Sequence, residues 1–112
     1  AGKRTDSSAT NGSSLDNTAS SASGLSAYLQ VFAFTGTSVT VTIQESSDDG
    51  SGDAFGTKAS FAAVSSANQQ QRITASGTVE RYLRIVTTGT FSSAIFAVAV
   101  RRGTAQDDTA YT

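Results

Sequence analysis

Residues 38–45 read SVTVTIQE, and this stretch decides the fold. Val39, Val41 and Ile43 occupy every second position, with a threonine between each pair. Side chains that alternate in this way point to opposite faces of a β-strand, so one face is apolar and the other polar. The stretch therefore predicts a half-buried strand with Val39, Val41 and Ile43 facing the core.

The segment before it, residues 27–35 (AYLQVFAFT), has the same period. Its two faces are Leu29, Val31 and Ala33 on one side and Tyr28, Gln30, Phe32 and Phe34 on the other. Gly36 and Thr37 separate this segment from the next strand, and a short glycine-containing link between two strand patterns is typical of a tight turn. We therefore predict that the two segments form a β-hairpin.

The rest of the chain repeats short strand patterns separated by turn signals. The predicted strands are 57–64, 71–75, 78–87 and 92–102, and the predicted turns are 46–53, 65–70, Ser76-Gly77 and Thr88-Gly89. Phe61, Ile73 and Leu83 are expected in the core. Six or seven short strands at this spacing, with no helical period, predict an all-β fold, an antiparallel β-sandwich of the jelly-roll or immunoglobulin-like kind.

The last predicted strand differs from the others because both of its faces are apolar. Ile95, Ala97 and Ala99 lie on one face, and Phe96, Val98 and Val100 lie on the other. A strand of this kind is either central in a sandwich or covered on its outer side by a partner.

The two ends of the chain are polar, which predicts three regions. Residues 1–24 form a Ser/Thr/Ala-rich flexible N-terminal arm or linker, residues 25–102 the β-sandwich domain, and residues 103–112 a polar C-terminal tail. Leu15 is the single large apolar residue of the arm. It is the expected anchor if the arm becomes ordered on a neighbouring subunit.

Composition argues against several classes of function. The chain has no His and no Cys, which removes the commonest general base, the thiolate nucleophile and the usual zinc ligands. Eight basic and nine acidic residues give a net charge of −1, unlike a typical nucleic-acid-binding domain. No apolar run approaches the roughly 20 residues that cross a membrane. We therefore expect no enzyme activity, no cofactor, no nucleic-acid partner and no membrane partner.

Carboxylates offer one further type of site. Asp48, Asp49 and Asp53 lie in a glycine-containing loop that could supply oxygen ligands to calcium, but the spacing does not match an EF-hand. We therefore expect this loop to be a solvated hairpin turn and predict no metal site in it. Glu45 and Glu80 are not expected to share a cleft, so no glycosidase pair is predicted either.

Contact residues can be proposed from the aromatic and arginine positions. Four aromatic residues lie on strand faces that are expected to point outward: Phe32, Phe34, Tyr82 and Phe96. They mark a contact surface or, if the face assignment is shifted by one residue, they belong to the core. Arg81, Arg84, Arg101 and Arg102 suit either surface ion pairs, with Glu80 or Glu45, or a subunit interface. The interface candidates are Leu15, Phe32, Phe34, Tyr82, Arg84, Phe96, Val98 and Val100.

The order of four motifs resembles a domain of siphophage structural proteins. These motifs are AYLQV (27–31), TVTIQESSDDG (40–50), GTVERYLRIV (77–86) and FAVAV (96–100), within a resemblance that covers residues 13–101. In that family the domain is often appended to the C-terminus of the major tail protein, and similar domains decorate capsids.

The resemblance implies a non-enzymatic structural component of a virion, assembled in the host cytoplasm. The implied partners are phage capsid or tail-tube proteins and copies of the chain itself. The run IQESSDDG (43–50) also resembles hairpins of discoidin-like and other jelly-roll binding modules. The alternative function is therefore a lectin-like, carbohydrate-binding module for adhesion, with a host-surface glycan as its ligand.

Overall fold

The computed structural model describes residues 3–102, and within them the chain forms β-strands and no helix. The strands are β1 (Arg4–Asp6), β2 (Thr10–Asn11), β3 (Leu15–Asp16), β4 (Leu25–Ser46), β5 (Gly56–Ser60), β6 (Gln69–Ala75) and β7 (Tyr82–Arg102). All seven strands belong to one antiparallel sheet, which confirms the predicted all-β class. Over these residues there is accordingly no helix that could cross a membrane. The predicted tail 103–112 lies outside the described residues.

Two long strands, β4 and β7, form the spine of the sheet. They pair along their whole length, from Leu25 opposite Arg102 to Ser46 opposite Tyr82. The predicted hairpin at residues 36–37 and the predicted turn at residues 88–89 are therefore wrong, because the chain continues through both points without reversing direction.

The glycines that suggested turns have a different role. Gly36 and Gly89 have φ angles of 146° and 123°, which favour glycine strongly. A Cβ at Gly36 would lie 2.4 Å from the Cα of Phe91, and one at Gly89 would lie 2.4 Å from the carbonyl oxygen of Ser38. Both glycines therefore permit close backbone approach within the β4–β7 ladder, at the level where its register shifts.

These irregularities divide the sheet into two halves. The first half of β4 pairs with β6, and its second half pairs with β5. On the other side of the spine, β1 lies along the C-terminal half of β7, and β2 and β3 lie along its N-terminal half. β-Bulges bend the strands that contain them, so the two halves can turn toward each other as in a sandwich.

The core confirms the alternation seen in the sequence and joins both halves of the sheet. Its buried residues are Leu25, Ala27, Leu29, Val31, Val39, Val41, Ile43, Phe61, Val64, Val79, Leu83, Ala94 and Phe96. Phe61 and Val64 extend the edge beyond β5, since their N–H groups donate to the carbonyls of Val41 and Val39 at 2.9 and 2.8 Å. In the C-terminal half of β7, Phe96, Val98 and Val100 face this core, whereas Ala99 on the other face is exposed.

The N-terminal segment differs most from its prediction as an arm or linker. Residues 4–16 contribute three short strands to the edge of β7 instead of standing apart from the domain. Ser21 continues the contact through a two-way backbone pairing with Val79, at 2.9 and 2.7 Å. Polar contacts hold this segment in place although it has few apolar residues, and its composition did not reveal the partners of those contacts.

Candidate interaction surfaces

The predicted interface residues divide into buried and exposed groups. Phe96 is 2% exposed and belongs to the core, so its prediction as an interface residue is wrong. Phe34, Val98 and Val100 are half-buried against the core, and the rings of Phe34 and Phe91 lie 6.4 Å apart. For Phe34 the bulge between Val31 and Ala33 changes the face on which the following residues lie.

Leu15 is the most exposed large apolar side chain among the described residues. It lies in β3 opposite Leu83 and is 76% exposed. A groove of about 680 Å³ runs beside it, and its apolar wall is formed by Leu15, Leu83 and Val100. An exposed leucine beside an apolar groove is typical of a contact surface. We call Leu15 and this groove the Leu15 surface.

Charged groups anchor the segment that carries Leu15. Arg4 donates two hydrogen bonds of 2.8 Å to the carboxylate of Asp6, which is 4% exposed. The Thr87 hydroxyl donates to the same carboxylate at 2.6 Å, and the N–H of Thr10 donates to the Thr87 hydroxyl at 3.1 Å. Asp6 is thus a buried connection between the segment and β7.

A second, exposed ion pair holds the segment next to Leu15. Arg81 donates hydrogen bonds of 2.7 and 2.8 Å to the two carboxylate oxygens of Asp16. These bonds, with one from the N–H of Thr18, lower the pKa of Asp16 to about 2. Asp16 was not among the acids expected to pair with the arginines, because a contact of this sequence separation cannot be read from local pattern.

The other arginines of the predicted patch also make contacts within the chain. Arg84 donates to the side-chain oxygen of Gln44 at 2.8 Å and lies 4.2 Å from the ring centre of Phe55. Arg102 donates to the carbonyls of Val79, Glu80 and Arg81 at 2.8 to 3.2 Å. Burial lowers the pKa of Arg102. Arg84 and Arg102 therefore contact other parts of the same chain and hold the ends of strands in place.

Tyr82 and Phe32, the remaining interface candidates, are partly exposed. The Tyr82 ring lies beneath the guanidinium of Arg81, whose Cζ is 5.0 Å from the ring centre. The Phe32 ring lies 4.5 Å from the ammonium of Lys3. Each aromatic ring therefore already contacts a cation of the same chain.

The acidic loop between β4 and β5 is closed by its own carboxylates. Asp48 accepts hydrogen bonds from the N–H groups of Gly52 and Asp53, at 2.7 and 3.0 Å, and these bonds lower its pKa. The buried Ser46 hydroxyl donates to the carbonyl of Asp53 and accepts from the N–H of Gly50. The loop is thus a hydrogen-bonded turn, and within residues 3–102 no group of three or more acidic side chains is arranged to hold a metal ion.

Glu45 and Glu80 were not expected to share a cleft, and the structure places them next to each other outside both grooves. The carboxylate of Glu45 accepts a hydrogen bond of 3.0 Å from the N–H of Glu80. The Glu80 carboxyl is hydrogen-bonded to Asp53, and this bond, desolvation and the charges of Asp53, Glu45 and Asp48 raise the pKa of Glu80 to about 7. The same bond lowers the pKa of Asp53.

This acidic cluster does not have the geometry of a glycosidase pair. Glycosidase carboxyl groups stand roughly 5 Å or more apart to admit a sugar or a water molecule, whereas Glu80 and Asp53 are in direct hydrogen-bond contact. Neither the groove beside Leu15 nor a second groove, at Tyr28, includes these residues. The hydrogen bond between Glu80 and Asp53 therefore lies outside both grooves.

The second groove involves a residue that the sequence did not single out. Tyr28, at the centre of the first half of the sheet, is 40% exposed. The groove has a volume of about 600 Å³, and its lining includes Tyr28, Gln30, Phe32, Gln70, Arg72 and the small residues Ala97 and Ala99. The alternation placed Tyr28 and Gln30 on one face of their strand. Only the pairing of β4 with β6 and β7 brings the other residues beside them.

No protein-family model, no curated protein and no solved structure matches this chain. The resemblance to siphophage structural domains therefore stays a prediction that rests on the order of the sequence motifs.

Proposed function

We propose that this chain is a non-enzymatic structural component of a tailed-phage virion, which decorates the capsid or the tail tube. Its partners would be capsid or tail-tube proteins and further copies of itself. The observation that carries the proposal is the Leu15 surface, together with the order of sequence motifs described above.

The Leu15 surface has the properties of an assembly contact. Leu15 is 76% exposed although its own segment is fixed to β7 on both sides of it, by Asp6 and by the Asp16–Arg81 pair. A leucine held in a defined position at the surface can enter a pocket of a partner with little loss of conformational freedom. Among the described strands β3 pairs only with β7, so its outer backbone edge can pair with another subunit.

The chemistry of the grooves supports a role without catalysis. Asp16 is the only acid among the residues of 3–102 that line the first groove, and it is held by two hydrogen bonds from Arg81. The chain supplies no His or Cys that could serve there as a base or a nucleophile.

The test is to purify particles from the source of the gene and examine them by mass spectrometry and cryo-electron microscopy. We expect the chain in tens to hundreds of copies, in a regular array on head or tail. Its absence from purified particles would contradict the proposed function.

Two variants test the contact itself. Leu15→Asp should reduce incorporation at least tenfold, because it places a charge in a desolvated contact. Leu15→Met keeps an apolar side chain of similar size and should be incorporated normally. If both variants join particles as the wild type does, the Leu15 surface is not the contact.

A further inference from the structure

We propose that the groove at Tyr28 binds an acidic oligosaccharide, through the aromatic ring of Tyr28, the amides of Gln30 and Gln70, and the guanidinium of Arg72. We call these four residues the Tyr28 site. None of these residues lines the groove of the Leu15 surface, and the inference does not depend on the virion proposal.

The Tyr28 site is assembled from adjacent strands. Arg72 on β6 is the register partner of Tyr28 on β4, and Gln70 is the partner of Gln30. On the other side of β4, Ala99 and Ala97 are the partners of the same two residues. The alanines leave space beside the ring of Tyr28, while the longer side chains stand on the other side. This difference in side-chain length explains why a groove forms on the sheet.

The polar groups of the site have donors and acceptors available for a ligand. The side chains of Gln30, Gln70 and Arg72 make no hydrogen bond to any residue of the described chain, 3–102. A glutamine amide offers donors and an acceptor in one plane, which suits the hydroxyl groups of a sugar. Such groups around an aromatic residue are typical of a small polar-ligand site.

The ring of Tyr28 supplies the apolar part of the recognition. It is 40% exposed, and the Cζ of Arg72 lies 5.7 Å from its centre. The negative face of an aromatic ring attracts the weakly positive C–H groups of a sugar ring, and the phenol hydroxyl can hydrogen-bond at the edge. The nearby guanidinium places a cation next to the position that the sugar would occupy.

The charge around the groove favours an anionic sugar. Among the described residues that line it, Arg72 is charged and none is Asp or Glu. Lys3 adds a further cation beside Phe32. Arginine binds carboxylates through paired hydrogen bonds, so a uronic or sialic acid fits Arg72 better than a neutral sugar does.

Two other anionic ligands fit less well. Single-stranded nucleic acid needs a groove in which cations follow the phosphate backbone over several nucleotides, and the chain has a net charge of −1. The acidic loop of a second copy is also a weaker candidate, because Asp48 and Asp53 already accept backbone hydrogen bonds within their own loop.

The experiment is a titration of the ¹⁵N-labelled full chain, followed by NMR at pH 7. The probes are tetragalacturonate and sialyllactose as acidic sugars, maltotetraose as the neutral control, and a fifteen-nucleotide oligo(dT). We expect at least one acidic sugar to shift the amide signals of residues 28, 30, 70 and 72 selectively, with a dissociation constant in the range of roughly 0.1–1 mM. Maltotetraose should bind at least several-fold more weakly.

Single substitutions test whether binding depends on the side chains of the Tyr28 site. Tyr28→Ala and Arg72→Gln should each weaken acidic-sugar binding roughly tenfold. Arg72→Gln should also remove most of the preference over maltotetraose. Phe55→Ala is the matched control, because Phe55 is also an aromatic residue beneath an arginine but does not line the groove at Tyr28. It should bind as the wild type does.

Several results would overturn the proposal. These are the absence of selective shifts with both acidic sugars, equal binding of oligo(dT) that depends on the same residues, and shifts at residues 28 and 72 that follow protein concentration without a ligand. The last result would identify this face as a contact between copies.

Discussion

The β4–β7 ladder and the N-terminal segment lie side by side in the same sheet, but different forces hold them. The ladder buries alternating apolar side chains such as Leu29, Val41 and Ile43, each no more than 2% exposed. The segment between Arg4 and Asp16 buries the carboxylate of Asp6 and leaves Leu15 largely exposed. Hydrophobic burial stabilises the ladder, whereas specific hydrogen bonds and ion pairs place the segment.

Because of this difference, the ladder and the segment have different roles in the molecule. Apolar burial is tolerant of small shifts and supplies most of the folding free energy, so the ladder is the scaffold. Charge-assisted hydrogen bonds depend on exact partners, so the segment has one position on β7 and carries Leu15 to a fixed place. The predictions below test this contrast, from the largest expected effect to the smallest.

The first prediction compares a leucine from each region. Leu29→Ala removes a core side chain and should lower the free energy of unfolding by about 3–5 kcal/mol. Leu15→Ala removes an exposed side chain and should change it by less than about 0.5 kcal/mol. Urea denaturation followed by circular dichroism measures both. Similar losses for the two variants would show that Leu15 is buried in solution.

The second prediction compares the two aspartates that anchor the segment. Asp6→Ala leaves Arg4 and the buried Thr87 hydroxyl without their partner and should cost about 2–4 kcal/mol. Asp16→Ala should cost much less, because solvent screens its pair with Arg81. Hydrogen exchange should show faster exchange in residues 4–11 for the Asp6 variant. An equal loss at both positions would disprove the buried anchor.

The third prediction concerns the glycines of the ladder. Gly89→Ala places a Cβ 2.4 Å from the Ser38 carbonyl oxygen at a φ of 123°, and should cost about 1–3 kcal/mol. Gly56→Ala, at the edge of the sheet, has nothing within 4 Å of its Cβ and should be tolerated. Thermal unfolding of both variants checks the contrast, and a neutral Gly89→Ala would mean that the ladder does not bend closely at this point.

The fourth prediction is an opposite response to pH in the two regions. The pKa of Glu80, at the loop end of the ladder, is raised from 4.5 to about 7. The folded chain therefore retains a proton that the unfolded chain has lost between these values, and this contribution to stability is lost as the pH rises from 4.5 to 7. The lowered pKa of Asp53 does not act in this window, because its contribution changes only below its ordinary value of 3.8.

The segment should respond at lower pH and with the other sign. The pKa of Asp16 is lowered from 3.8 to about 2, so its contribution is present above pH 3.8 and is lost as the pH falls toward 2. Urea midpoints measured between pH 4.5 and 7.5 should fall with rising pH in the wild type, and Glu80→Gln should flatten this slope. A slope that persists in Glu80→Gln would assign the titration to another group.

The interaction surfaces were only partly predictable. Leu15 was chosen as an interface candidate because it is the one large apolar residue in a polar segment, and its side chain is exposed in the structure, while its role as a contact stays a prediction. Phe96 was misassigned because an apolar strand with two apolar faces does not reveal which face meets the core. Tyr28 lay on the expected outward face, but its groove depends on alanines and polar residues of two other strands.

The sequence by itself determined the strand class and the identity of most core residues, because alternation is a local property of the chain. Only the tertiary structure decided that Gly36 and Gly89 lie within continuous strands, that residues 4–16 join the edge of β7, and that Glu80 meets Asp53. A glycine between two strand patterns can serve a turn or a close backbone approach, and the facing strand determines which of the two it is. In the same way, a polar side chain acquires its role from a partner that is remote in sequence, as Asp6 does from Thr87.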